Sequence, residues 1–360
     1  MTIESDLASA LAKLASQGRE PGGGFAVVTA DGKTHEALIG ERVAGDPWRS
    51  DTMAMTYSCA KPLAALTVLT ALADTETSPD EFVATVWPEY ATGGKESTTI
   101  RQVLSHQAGL AAFPATASTI DFDNRAGLVG CLAAAEVSAK PGTTVAEHAY
   151  TYGHLCDELV RRLTAEPLAE RFGQIAQQSN WDLRLAVSQV EDNRIADVVP
   201  LAGDWETAVD ADPNWGPVVR YPFGLRDPAV LNSTRFRRTS FAAISLYASA
   251  AGLASFYADI AQPDGHVAGL LGPTLHAEFL RPQVTGHDLV LDHEVTWTLG
   301  FQVDRLESGR VEIGMGGAGG SAGWLTLDEN GHFVSAAAYV SRGLGDFDRA
   351  DEVWDSLTLP

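Results

Sequence analysis

Residues 57–74 read YSCAKPLAALTVLTALAD, and the reading of this stretch decides the rest. From Ala60 to Asp74 the apolar residues fall on every side of a helix, so the spacing predicts a helix buried all round. At its start stand Ser58 and Lys61. Positions i and i+3 share a helix face, so the lysine amine can reach the serine hydroxyl. A serine at a helix N-terminus also lies in the positive end of the dipole, which suits an attacking oxygen and a developing oxyanion. The S-x-x-K spacing alone is common, and Ser58 could be a simple N-cap with Lys61 at the surface. Context favours chemistry. Lys61 is one of only five lysines (Lys13, Lys33, Lys61, Lys95, Lys140) beside 20 arginines, and it adjoins the uncharged run Pro62–Ala73. A solvated cation is out of place there, whereas burial makes a lysine a usable base.

The whole chain has 360 residues, with 25 Lys+Arg against 47 Asp+Glu and a formal net charge of -22. A surface this acidic repels phosphate backbones and anionic leaflets, which excludes nucleic acid and membranes as main partners and leaves a small-molecule substrate. A hydrophobic content of 45% with 20% charged residues marks a globular chain able to bury a core. Cys59, Cys131 and Cys156 form neither a disulfide framework nor a zinc pattern, and the nine histidines show no ligand spacing, so no metal or cofactor is expected. The N-terminal MTIESDLASALAKLASQG lacks the basic and long apolar regions of a signal peptide, and Pro62–Ala73 is too short to span a bilayer. The expected location is cytoplasmic.

Working outward from the buried helix, residues 4–17 read as an amphipathic helix and GGGFAVVTADGKTHEALIGE (22–41) as a hairpin turning at Asp31-Gly32. Residues 80–210 carry mostly helical periodicity, with loops at 113–118 and 141–144. A loop-rich stretch follows at 200–237, and helical patterning returns at 240–261. TWTLGFQVD, RVEIGM, AGWLTLD and HFVSAAAYVS (between 296 and 341) read as antiparallel strands, with a terminal helix over 347–357. Strands at both chain ends predict an α/β fold. Residues 1–80 and 238–360 would build an antiparallel sheet flanked by helices, and 81–237 would form a mostly helical insertion.

Four ordered segments then resemble the serine β-lactamase/penicillin-recognising family, in its class C β-lactamase and carboxylesterase branch. Ser58-Cys59-Ala60-Lys61 matches its S-x-x-K element. WPEYATGGKESTTIRQVLSHQAGL (87–110) is similar to the stretch ending in LLSH-x-x-GL, and PGTTVAEHAYTYGHLCDELVRRLT (141–164) to the segment carrying the second motif. LGFQVD (299–304) and GMGGAGGSAGWLTLD (314–328) resemble the strand pair carrying the third. The resemblance implies a β-lactamase-like fold over nearly the whole chain and acylation of Ser58 by a small ester, amide or thioester.

Two motifs depart from the family. Setting HAYTYG (148–153) on the esterase form Y-H-A-L-T-Y-G puts Glu147 where the tyrosine should be; a second register puts Tyr150-Thr151-Tyr152 on Y-x-N. The Glu147 register keeps the spacing from Pro141-Gly142 and is preferred. The third motif, K-T-G or H-x-G, reads Met315-Gly316-Gly317, after which Gly317-Ala318-Gly319-Gly320 allows close ligand approach. The Ala318 and Ser58 amides would pair as an oxyanion hole. An ionised Glu147 would hold Lys61 charged and spoil it as a base, or would itself be the base with Lys61 carrying positive charge, the pair acting as a unit. The expectation is a serine hydrolase or acyltransferase, esterase in the main, with Ser58, Lys61 and Glu147 catalytic and Met315, Gly317, Tyr150 and His148 near substrate. The altered motifs favour a specialised role such as secondary metabolism. Two other readings stay open: a lyase, isomerase or cyclase using Glu147 and Lys61, and a non-catalytic ligand-binding homologue in which the pair is an inert salt bridge. Gly317-x-Gly319 lies between strands with no helix after it, which rejects a dinucleotide site. His106 reads as a loop-fixing residue, and Trp215, Tyr221, Phe223 and Phe236 as candidates for a pocket mouth or for local packing.

Overall fold

A computed structural model describes residues 2–201 and 205–357. The main sheet is built from both ends of the chain. Its strands are β1 (Gly22–Thr29), β2 (Thr34–Val43), β3 (Asp46–Pro47), β4 (Val284–Asp288), β5 (His293–Trp297), β6 (Gln302–Arg305), β7 (Val311–Gly316), β8 (Ala322–Leu327) and β9 (Phe333–Ser341). They lie in the order β3-β2-β1-β9-β8-β7-β6-β5-β4, with antiparallel neighbours throughout. Of the terminal strands, β1 pairs with β9 in the register Phe25↔Tyr339 and Val27↔Ala337.

Period-two alternation sorts the side chains between two layers. Phe25, Val27, Trp324 and Tyr339 join Leu7, Leu11 and Leu14 of α1 (Ile3–Ser16) and Val353 of the last helix, while Ala26, Val28 and Leu325 face the larger core. In that larger core lies α2 (Lys61–Asp74), buried from Lys61 through Leu72, as the all-round apolar run predicts. Around it stand α3 (Arg125–Ala134), α4 (Thr151–Thr164), α5 (Leu168–Gln178), α6 (Trp205–Ala211), α7 (Ala250–Ile260) and α8 (His266–Leu280), the last broken at Gly272 (φ +70) ahead of Pro273. The terminal helix, α9 (Arg349–Asp355), packs beside α1. The β-lactamase-like α/β architecture expected from the sequence is the one observed. Among the described residues, no helix is long and apolar enough to cross a membrane.

Three local expectations are corrected. The stretch 205–237 holds four short helices rather than loops: α6, Trp215–Val218, Pro228–Leu231 and Thr234–Arg237. Asp227 and Ser233 cap the last two by accepting from the Ala229 and Phe236 amides. Helix α7 starts at Ala250, not 240, because Tyr247–Ala248 pairs with Ala54–Met55 just ahead of Ser58. TWTLGFQVD splits into β5 and β6 at Gly300, whose φ is +108 and whose missing Cβ would lie 2.8 Å from Ala65 of α2. The strand must bend there to clear the helix.

Candidate active site

Ser58 opens a short 3-10 turn, Ser58–Ala60, that runs directly into α2. The residue before it, Tyr57, has φ +51 and ψ -124, a conformation that costs a β-carbon-bearing residue about 1–3 kcal/mol. It is held by Thr56 N donating to Leu246 O (2.8 Å) and by its ring standing edge-on to Trp205. The strain turns the chain from strand to helix and leaves Ser58 at the head of the buried helix.

Lys61 Nζ lies 2.6 Å from Ser58 Oγ and 2.8 Å from Glu147 Oε1. The lysine side chain is 0% exposed and the glutamate 7%, so two charges removed from water answer each other. Glu147 is pinned through its backbone: its amide donates to Asp288 Oδ1 (3.0 Å), which also accepts from Val290 N and Leu291 N, while Trp297 Nε1 donates to Asp288 Oδ2. One buried carboxylate thus fixes the loop that presents another. Nothing around Asp288 in the sequence signals this role, because the contact spans 141 residues.

The two registers for the second motif separate in space. Glu147 is the side chain bonded to Lys61, whereas the Tyr150 hydroxyl points to Leu225 O at 3.5 Å, and burial pushes that phenol up from its usual range. His148 does not face the cleft as the sequence reading allowed. It is fully buried, with Nδ1 2.7 Å from Ala146 O and Nε2 accepting from Leu110 N, so the backbone takes both nitrogens. Burial lowers its pKa to about 4. His106 has φ +61, accepts from His148 N through Nδ1, and packs against Tyr152 and Trp297, which is the loop-fixing duty expected. Desolvation, then the nearby His148 and Lys61, hold it well below the ordinary histidine range.

The third motif closes the site from the sheet. A Cβ on Gly317 would fall 2.1 Å from Thr56 O, so only glycine lets the end of β7 touch the segment before Ser58. Cys59 Sγ donates to Met315 O (3.3 Å) from the other side; burial pushes that thiol up to about 12 and keeps it a donor. Gly317 N to Ser321 O and Gly320 N to Gly317 O, each 2.8 Å, shape the turn carrying Ala318. Met315 itself packs with Val145, Val295 and Trp297 and presents an apolar wall where the family motif has a polar residue.

Ser58, Glu147, Met315, Gly317 and Ala318 line one cleft of about 450 Å³. A second cavity of about 20 Å³ opens behind Ser58 between Tyr57, Tyr150, Trp205, Val209 and Ile244, sharing Ser58, Trp215 and Ala318 with the cleft. Of the loop aromatics, Trp215 lines both cavities; Phe236 is core, and Tyr221 and Phe223 pack on each other. Sequence reasoning missed Asp288, Trp205 and Phe347.

An antiparallel sheet built from both ends of the chain, with Ser58 and Lys61 at the start of the helix buried beneath it, defines the penicillin-recognising class of α/β proteins. The chain belongs to the Beta-lactamase family, whose model matches residues 7–357. It is 34% identical over 155 residues to the esterase/beta-lactamase LipL of Mycobacterium tuberculosis, an alignment covering 42% of this chain and 35% of that protein. The chain therefore matches about a third of that curated relative's length. Among solved structures, a family VIII carboxylesterase superposes with a TM-score of 0.81 at 24% identity, over 99% of this chain and 97% of the other. A penicillin-binding protein homologue from Caulobacter crescentus superposes at 0.80 with 25% identity, covering 99% and 98%.

Proposed function

We propose that the protein is a serine hydrolase of esterase type that acts through an acyl-enzyme on Ser58, with water or a second alcohol as the final acceptor. The observation that carries this is the 2.6 Å contact of Ser58 Oγ with Lys61 Nζ, itself 2.8 Å from Glu147, at the wall of an open cleft. Passing one proton from Lys61 Nζ to Glu147 Oε1, 2.8 Å away, leaves a neutral amine facing the serine. That amine takes the Ser58 proton as Oγ attacks the carbonyl carbon. The Ser58 and Ala318 amides receive the oxyanion. On collapse, Lys61 returns the proton to the departing oxygen, and water reverses the sequence to free the acid. The cavity behind Ser58 has room for about one methyl group or water, which suits a short acyl chain. The esterase/beta-lactamase relative supports the same reading.

Intact-protein mass spectrometry after incubation with a fluorophosphonate and with p-nitrophenyl acetate tests this. The expected result is a single adduct that Ser58→Ala abolishes. Turnover by Ser58→Ala without an adduct on the parent would favour a lyase or isomerase acting through Glu147 and Lys61.

A further inference from the structure

The cleft and the small cavity meet at Ser58 and Ala318, whose amides receive the oxyanion in the proposed reaction, so the two substituents of a bound carbonyl carbon diverge into these two spaces. The chemistry decides which goes where. A leaving group must take a proton and then depart, whereas the acyl group stays bonded to Ser58. Glu147 lines the cleft of about 450 Å³ and not the cavity of about 20 Å³, so the proton is delivered on the cleft side. The acyl group therefore belongs behind Ser58 and the leaving group in the cleft. Arg226 borders the cavity, but its Nη2 is already bonded to Asp210 Oδ1 at 2.7 Å, and the space beside it suits a methyl group rather than a second charge.

The wall on the Glu147 side is carbon. Along β7, Gly314 pairs with Trp324, which joins the α1 layer, so Met315 turns the opposite way, to the face of the sheet that carries Ser58. Met315 is buried against Trp297 and Val145 with Leu291 packed on it, and Val290 extends the same wall. The Val290 and Leu291 amides donate to Asp288 Oδ1 at 2.9 and 3.1 Å, and that oxygen also holds Glu147 N. The apolar wall and the glutamate are thus mounted on one carboxylate. Trp215 adds a ring to the cleft. Asp212 Oδ1 accepts from the Asn214 and Trp215 amides at 2.8 Å each, which fixes the turn presenting the indole and engages the Asp212 carboxylate within it. No lysine, arginine or histidine among the described residues lines the cleft, and Lys61, 0% exposed, is bonded to Ser58 and Glu147. An anionic leaving group would meet apolar carbon and the Glu147 carboxylate, which leaves its charge desolvated and repelled.

We propose that this site selects acetate esters of uncharged, apolar or aromatic alcohols, with the methyl group behind Ser58 and the alcohol along Met315, Leu291 and Val290 beside Trp215, and that the same wall rejects a leaving group bearing a carboxylate. The proposal rests on Ser58 being the acylated residue. Ser58 Oγ bonds to the acetyl carbon as its proton passes to the Lys61 amine. The bond from that carbon to the alcohol oxygen breaks, the oxygen takes the proton back from Lys61, and the alcohol leaves uncharged. Water then repeats the exchange and releases acetate.

The test uses three phenyl acetates of one shape, carrying para-isobutyl, para-carbamoylmethyl or para-carboxymethyl, in which the methylene keeps the phenols nearly equal as leaving groups. The expected order of kcat/KM is isobutyl, then carbamoylmethyl, then carboxymethyl, with each step about tenfold: the first is the transfer of an apolar group, the second one partly screened charge. Met315→Lys should raise the carboxymethyl-to-carbamoylmethyl ratio about tenfold, while Met315→Leu, which keeps the wall apolar, should leave it within about twofold. The hexanoate of the isobutyl phenol should react at least about tenfold more slowly than its acetate, since its four added methylenes exceed the cavity. Equal rates for the carboxylate and amide esters in the parent, a ratio that Met315→Leu changes as much as Met315→Lys, or a hexanoate as fast as the acetate overturns the proposal. Calorimetric titration of the matching methyl ethers into Ser58→Ala protein reads the wall without chemistry, and fluorophosphonate labelling of the parent reads the serine. A labelled Ser58 without the ranking removes the wall alone, and the ranking among the ethers without labelling removes the acyl-enzyme alone.

Discussion

Two buried ion pairs flank the turn that carries Ala318, and they are built in opposite ways. Glu20 and Arg349 are both 0% exposed. Arg349 Nε donates to Asp346 O, Nη1 to Arg19 O and Ser341 Oγ, and Nη2 to Gly319 O and Gly343 O at 2.7 Å each. Glu20 accepts from Gly22 N and Ser341 Oγ through one oxygen and from the Tyr339 hydroxyl and Arg349 through the other. Every nitrogen and both oxygens are occupied. The Lys61–Glu147 pair is sparse by comparison: among the described residues the ammonium has two side-chain partners for three protons, and its glutamate reaches a cleft wall. Saturation holds a structure in place, here α9 and the Gly319 carbonyl. A pair left short of partners beside a serine is suited to moving a proton. An inert salt bridge at Lys61 would be expected to look like the one at Arg349.

The sharpest way to break that contrast is Glu147→Gln. If the pair handles protons, the acylation rate with p-nitrophenyl acetate falls by about 10²–10⁴-fold, the usual span for a lost acid–base group. The urea midpoint should move less than it does for the saturated pair, since Lys61 keeps an acceptor in Ser58 and an amide oxygen in place of the carboxylate. A large loss of stability with an unchanged acylation rate would make the pair structural.

Arg349→Met is the converse. Removing one partner of a fully buried pair leaves Glu20 uncompensated, and the expected destabilisation is about 3–5 kcal/mol by urea unfolding. Two changes together, Glu20→Leu and Arg349→Met, should recover part of that loss, because no isolated charge remains buried. If the single variant unfolds at the parent's midpoint, saturation carries no stability here and the comparison fails.

How much of this was legible in the sequence follows the distance over which each feature is encoded. Ser58 and Lys61 are three residues apart on one helix, and α2 announces its burial by apolar residues on every side, so both could be read directly. Glu147 meets Lys61 across 86 positions and came from motif register alone. Glu20 and Arg349 are 329 positions apart, and neither looks unusual in a chain this rich in acids and arginines. Asp304 and Glu312 read as ordinary polar positions of alternating strands. Only the hairpin register, Asp304↔Glu312, shows that two like charges oppose each other. The short helices of 205–237 had their capping residues in plain sight at Asp227-Pro228 and Ser233, but dense Pro and Gly concealed them.

A third kind of buried ionisable group gives the smallest and cleanest test of the same logic. His154 on α4 is buried between the rings of Phe113 and Phe241, and its Nδ1 has no partner among the described residues. Burial, opposed by the Asp157 carboxylate and helped by the nearby Arg125, lowers its pKa from 6.5 to about 4. The unfolded chain then binds more protons than the native one between those values, so the His154 contribution to stability is complete above about pH 6.5 and is lost as pH falls toward 4. One such histidine is worth about 2 kcal/mol between pH 7 and pH 5. His154→Phe keeps the aromatic packing and removes the proton site, so its unfolding free energy should fall by about 2 kcal/mol less than the parent's over that interval. An acid sensitivity equal to the parent's would mean that the fold accommodates a charged His154, and that burial without a partner does not by itself keep a group neutral in this core.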